Sequence, residues 1–157
     1  MPTLPSPTEE TASHGKPRPA PGARPRTLLY IEDNPANMSL VEQLVSRRAD
    51  LRLLTAIDAI HGIKLARESQ PEVILMDINL PEVSGVDALA ILNEDPATTH
   101  IPIIALTSNA SVRDVEFGIE VGFYRYLTKP VRIKEFMEAV DVALDFAAKR
   151  PRNPKTG

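Results

Sequence analysis

Five groups in this chain have the types and the spacing to do chemistry together. They are the acidic pair Glu32-Asp33, the lone Asp77, Thr107, and Lys129 ahead of Pro130. Each follows a short strand-like run: Leu28–Ile31, Val73–Met76, Ile101–Leu106 and Tyr124–Leu127. In an open parallel sheet, ligands bind beyond the carboxyl ends of the strands. Three carboxylates, one hydroxyl and one ammonium would then leave the sheet at a common edge. Carboxylates converging within a few ångströms repel one another, and one is driven to protonate. A hard divalent cation relieves that conflict, and Mg²⁺ suits a few carboxylates with coordination sites left for water and a phosphoryl oxygen. An Asp flanked by a metal, an ammonium and a hydroxyl is equipped to take a phosphoryl group as an acyl phosphate. The cation and Lys129 would neutralise the charge that spreads over the transferring oxygens.

Taken singly, each group is ordinary. An acidic pair after a strand is usually a solvated loop start, an Asp before Ile-Asn-Leu-Pro is usually a turn residue, and Lys-Pro is usually a surface turn. Their joint placement at four strand ends carries the functional reading.

The elements that must position them alternate along the chain. Helical spacing follows Pro35 (Leu40, Val41, Leu44, Val45), and a strand covers Leu51–Ala56. Asp58 caps a helix to Ser69, and a short helix runs from Val86 to about Asn93. Ser111 is placed to cap a helix bearing Val112, Val115 and Ile119, stopped by Gly122. A last helix from Arg132 carries Ile133, Phe136, Met137, Val140 and Leu144 on one face. Strands apolar throughout and alternating with helices predict a five-stranded parallel α/β sheet, doubly wound, with five helices.

Composition bounds the rest. The chain has 157 residues, 43% hydrophobic and 25% charged, enough for one soluble domain. Its longest apolar runs, of four or five residues, fall far short of the ~20 a membrane helix needs. No apolar signal segment opens the chain, so the cytoplasm is the expected compartment. Absent cysteine excludes disulfides, thiolate metal sites and Cys nucleophiles. Seven of the fifteen prolines lie in residues 1–26, which reads as a disordered leader or linker. Residues 27–148 are expected to be the domain, and 149–157 a basic disordered tail. The leader carries a net charge of +2, the tail +4 and the body −9. Four tail charges without interleaved aromatics do not make a nucleic-acid footprint.

The stretches Ile31-Glu32-Asp33-Asn34, Leu75-Met76-Asp77-Ile78-Asn79-Leu80-Pro81, Ala105-Leu106-Thr107-Ser108 and Tyr126-Leu127-Thr128-Lys129-Pro130-Val131 resemble, in order and spacing, the signature motifs of response-regulator receiver domains. The body is most similar to receivers of hybrid sensor histidine kinases or to stand-alone response regulators, through Glu32-Asp33-Asn34-Pro35-Ala36-Asn37 and Gly122-Phe123-Tyr124-Arg125-Tyr126. The resemblance implies a flavodoxin-like strand order of 2-1-3-4-5. It implies Asp77 as phosphoacceptor, and a Mg²⁺ held by Asp33, Asp77, the Asn79 carbonyl and, through water, Glu32. Thr107 and Tyr126 resemble the paired switch residues, and Lys129–Pro130 the family's cis peptide.

Phosphorylation adds about 1.5–2 negative charges at Asp77, an acceptor for Thr107 and Lys129. Movement of Thr107 would let Tyr126 fill the vacated space and reshape the face formed by the fourth predicted helix, the fifth strand and the last helix. A downstream protein would read that face. Either Phe123 packs in the core and Tyr124 covers a helix end, or Tyr124 and Arg125 belong to a partner-docking face. No phosphate-binding loop accompanies His14, His61 or His100, so the phosphoryl group must come from a histidine kinase, a histidine phosphotransfer protein or a small donor. The competing enzyme class, a Mg²⁺-dependent aspartyl phosphatase, would need an acid two residues after the acceptor, where this chain has Asn79.

Overall fold

Side chains at i and i+2 share one face of a strand, so a strand that is apolar at every position must be covered on both sides. The computed structural model describes residues 24–108, 119–120 and 122–149. Within them β1 (Arg26–Ile31), β2 (Leu51–Ala56), β3 (Val73–Asp77), β4 (Ile103–Thr107) and β5 (Arg125–Thr128) form one parallel sheet. Its order is 2-1-3-4-5, the flavodoxin-like arrangement. The helices are α1 (Pro35–Ser46), α2 (Ala59–Ser69), α3 (Gly85–Glu94) and α4 (Ile133–Lys149).

Five helices are expected from the sequence; the described residues hold four. The helix expected from Ser111 falls on residues 109–118, outside the described residues, although Ile119 and Glu120 at its far end are helical. Gly122 then adopts φ 125°, and its N–H donates to the Ile119 carbonyl at 3.2 Å, the glycine stop expected there.

Alternation divides the core into two layers. Leu28, Leu75, Ile104, Leu106 and Leu127 face α1 and α4, meeting Val41, Leu44, Phe136, Val140 and Leu144. Leu29, Ile31, Ile74, Met76 and Ile103 face α2 and α3, meeting Ile63, Ala66, Leu89 and Leu92. Each such fully buried aliphatic side chain contributes about 1.5–3 kcal/mol, so these layers hold the sheet in register. No helix among the described residues is long and apolar enough to cross a membrane.

Capping fixes where helices start. The Asn34 side chain accepts from the N–H groups of Ala36 (2.8 Å) and Asn37 (3.1 Å), with Pro35 in the first turn. Asp58 accepts from His61 N–H at 2.8 Å, and Ser84 from Asp87 N–H at 3.2 Å. The strand ends differ in detail from the sequence expectation. β1 reaches back to Arg26 because its ladder with β2 continues to Leu51, with the Arg26 N–H donating to Asp50 O at 2.9 Å. β4 begins at Ile103 rather than Ile101. Pro102 has no donor to offer it, and its carbonyl accepts from Ile74 N–H at 3.0 Å instead. Opposite the site edge, Arg48 ties Asp50 (2.7 Å) to Asp141 on α4 (3.0 Å).

Candidate functional site

The sheet register brings the expected residues together. Ile31 and Met76 are direct partners on β1 and β3, so the next residues, Glu32 and Asp77, stand side by side on strands roughly 4.8 Å apart. Asp77 pairs with Leu106 on β4, which puts Thr107 one step further along the same edge. Thr107 pairs in turn with Thr128, and the Lys129 N–H donates to the Thr107 carbonyl at 2.8 Å. The Lys129–Pro130 peptide is cis.

Carboxylate oxygens of Glu32, Asp33 and Asp77 all lie within 4.8 Å of one another. Glu32 and Asp77 are buried, at 1% and 4% exposure, whereas Asp33 is exposed. The Lys129 ammonium enters from the β5 side, 3.0 Å from Glu32 Oε1 and 3.4 Å from Asp77 Oδ2. Backbone donors complete the cradle: Asn79 N–H reaches Asp77 Oδ1 at 3.1 Å, and Asn34 N–H reaches Glu32 Oε2 at 3.2 Å. Gly85, at the start of α3, lies so close to this loop that a Cβ there would stand 2.8 Å from Ile78 Cα and 2.9 Å from the Asp77 carbonyl oxygen.

The two buried carboxyls divide the charge unequally. Burial alone would raise Glu32, but hydrogen bonds from Tyr30, Lys129 and the Asn34 N–H outweigh it and hold Glu32 below its ordinary value. Asp77 moves the other way. Burial and then the Glu32 charge raise it, against the opposing Asn79 hydrogen bond and the Lys129 charge. This is the electrostatic conflict expected of converging carboxylates. Three carboxylates face one ammonium, the donors are all oxygen, and the exposed Asp33 leaves the cluster open to water. That donor set fits a hard divalent cation such as Mg²⁺.

Thr107 is buried at the end of β4. Tyr126 on β5 meets Phe123 edge to face, with centroids 5.7 Å apart and planes at 84°. Phe123 is buried in the core, while Tyr124 packs on Phe146 of α4 at 4.9 Å. Arg125 is half-buried on β5. His61 is 71% exposed and pairs with its own helix cap, Asp58, at 2.8 Å. One participant goes unnoticed in the sequence: Tyr30, whose hydroxyl donates to Glu32 Oε1 at 2.7 Å. A tyrosine two residues before an acid, within the otherwise aliphatic run Leu28–Ile31, was the available signal.

Residues 28–141 match the family described as the response regulator receiver domain. The chain belongs to that family. As a receiver, it serves two-component signal transduction. It is 36% identical over 116 residues to the polar-differentiation response regulator DivK of Brucella anthropi, an alignment covering 74% of this chain and 94% of that one. Among solved structures it resembles the receiver domain of the sensor histidine kinase PA1611 from Pseudomonas aeruginosa PAO1, which has a magnesium ion coordinated in its active-site cleft. That match has a TM-score of 0.70 at 29% identity, covering 77% of this chain and 98% of the other. The fold is also that of the chemotaxis response regulator CheY4 of Vibrio cholerae, with a TM-score of 0.70 at 21% identity, covering 76% of this chain and 98% of that one.

Proposed function

We propose that this receiver takes a phosphoryl group onto Asp77 from a phosphohistidine of a histidine kinase or phosphotransfer protein, and relays that event to a protein partner. The observation that carries the reading is the convergence of Glu32, Asp33 and Asp77 within 4.8 Å, with the Lys129 ammonium 3.4 Å from Asp77. Asp33, Asp77, the Asn79 carbonyl and, through water, Glu32 are the groups that would hold Mg²⁺. When bound, that ion supplies positive charge against the phosphoryl oxygens.

An Asp77 carboxylate oxygen attacks phosphorus, forming the O–P bond of an acyl phosphate. The P–N bond to the donor histidine breaks, and its electron pair stays on the imidazole nitrogen. Lys129 then pairs with a phosphoryl oxygen, and the Thr107 hydroxyl donates to another. Drawing Thr107 inward would open space at β4 for the Tyr126 ring to fill, changing the surface around β5 and α4.

A phosphatase would need a proton donor two residues beyond Asp77. Asn79 occupies that position, and its N–H is spent on the Asp77 carboxylate. Incubation with acetyl phosphate and Mg²⁺, followed by intact-mass measurement, tests the reading, alongside turnover of a generic phosphate ester. One phosphoryl group per chain without ester turnover is the expected result. An unlabelled chain, or sustained ester hydrolysis, contradicts it.

A further inference from the structure

Tyr30 is fully buried in β1, among aliphatic side chains of the layer facing α1 and α4. Phenylalanine would fill the same space, so packing does not account for the hydroxyl. That hydroxyl donates to Glu32 Oε1 at 2.7 Å, and Lys129 Nζ donates to the same oxygen at 3.0 Å. A carboxylate oxygen has two lone-pair sites, so these two donors fill Oε1, while Asn34 N–H serves Oε2. The donors differ in mobility. Tyr30 is fixed in the core and, with burial pushing its phenol far upward, stays protonated. Lys129 rides on a flexible stem.

We propose that Tyr30 is a positioning residue: its hydroxyl keeps Glu32 Oε1 hydrogen-bonded when Lys129 leaves that oxygen for a phosphoryl group on Asp77. This rests on the phosphoacceptor reading above and extends it. A buried carboxylate oxygen stripped of its donors is costly. Without the phenol, release of Lys129 would strip Oε1, and Glu32 would hold the ammonium back. Tyr30 therefore favours the phosphorylated arrangement without touching the phosphoryl group.

Beryllofluoride in saturating Mg²⁺ is the probe, with its affinity measured calorimetrically for the wild-type chain, Tyr30→Phe, Glu32→Ala and the double variant. Thermal unfolding checks that each is folded, and the ring retained in Tyr30→Phe keeps the core filled. The expected result is roughly tenfold weaker binding in Tyr30→Phe. In the Glu32→Ala background, the same change should alter affinity by less than about twofold. Unchanged affinity in Tyr30→Phe overturns the proposal. So does an equal loss with and without Glu32, which would make the hydroxyl's effect one of packing. A wild-type chain that binds no beryllofluoride overturns the phosphoacceptor reading and this proposal together, whereas wild-type binding with an indifferent Tyr30→Phe overturns only the role of Tyr30.

Discussion

Lys129 and Glu32, 97 residues apart in sequence, meet at 3.0 Å inside the site. The ammonium lies closer to this buried carboxylate than to Asp77, at 3.4 Å. One cation is thus shared between a carboxylate held ionised and one pushed toward protonation. Any new anion built on Asp77 competes with Glu32 for Lys129, and that competition couples the site's chemistry to its surroundings.

The strain at Asp77 sets its effect on stability. Its folded-state pKa is raised above the ordinary 3.8, chiefly by burial, so the fold favours the neutral acid. The favour is fully present below pH 3.8 and is lost as pH rises through the raised value. Asp77→Asn, always neutral, should therefore raise the metal-free unfolding midpoint by about 3 °C at neutral pH, with the gap closing in acid. Scanning calorimetry across pH checks this. Added Mg²⁺ should reverse the order by stabilising the wild-type chain more.

Gly85 leaves room for the loop that carries Asp77 and Asn79. In Gly85→Ala the new Cβ meets backbone atoms of residues 77 and 78, which cannot swing aside. The substitution should cost about 1–3 kcal/mol in urea unfolding. It should also weaken Mg²⁺ binding in a calorimetric titration, because the displaced segment holds two of the proposed ligands.

Arg48 joins the end of α1 to β2 and α4 through Asp50 and Asp141, with all three side chains largely buried. Arg48→Ala leaves two acids without their shared cation and should cost about 2 kcal/mol. Asp50 is held below its ordinary 3.8, first by the Arg48 hydrogen bond. Its contribution is present above pH 3.8 and lost as pH falls through the depressed folded value. Denaturation at pH 7 and in acid should show the wild-type advantage shrinking at the lower pH.

Thr107→Ala separates labelling from its consequence. Asp77 and Lys129 remain, so acetyl phosphate should still label the chain. The Tyr126 ring resonances should no longer shift on labelling, as followed by proton NMR. Wild-type-like shifts in the variant would remove Thr107 from the switch.

Much of this architecture was legible because parallel strands leave an unbroken apolar run. Val73–Met76 could be read from pattern alone as a strand covered on both faces, with the acid after it leaving at the carboxyl end. Asp58 and Gly122 act as the helix cap and stop that their residue types favour. Other features depended on register and reach. Tyr30 reads as a hydrophobe until the strand face it shares with Glu32 is known. Nothing in the sequence says that Lys129 approaches Glu32 more closely than Asp77, since that depends on how β5 sits against β4. The Arg48–Asp141 contact spans 93 positions and has no local signal.

Trapping the labelled residue tests the central claim most directly. After reaction with acetyl phosphate and Mg²⁺, borohydride reduces an aspartyl phosphate to homoserine, and peptide mass mapping locates the change. Homoserine at position 77, absent without Mg²⁺ and absent in Asp77→Asn, is the predicted result. Homoserine at position 33, a phosphoryl group on a histidine, or an unmodified residue 77 in a labelled chain would contradict the account.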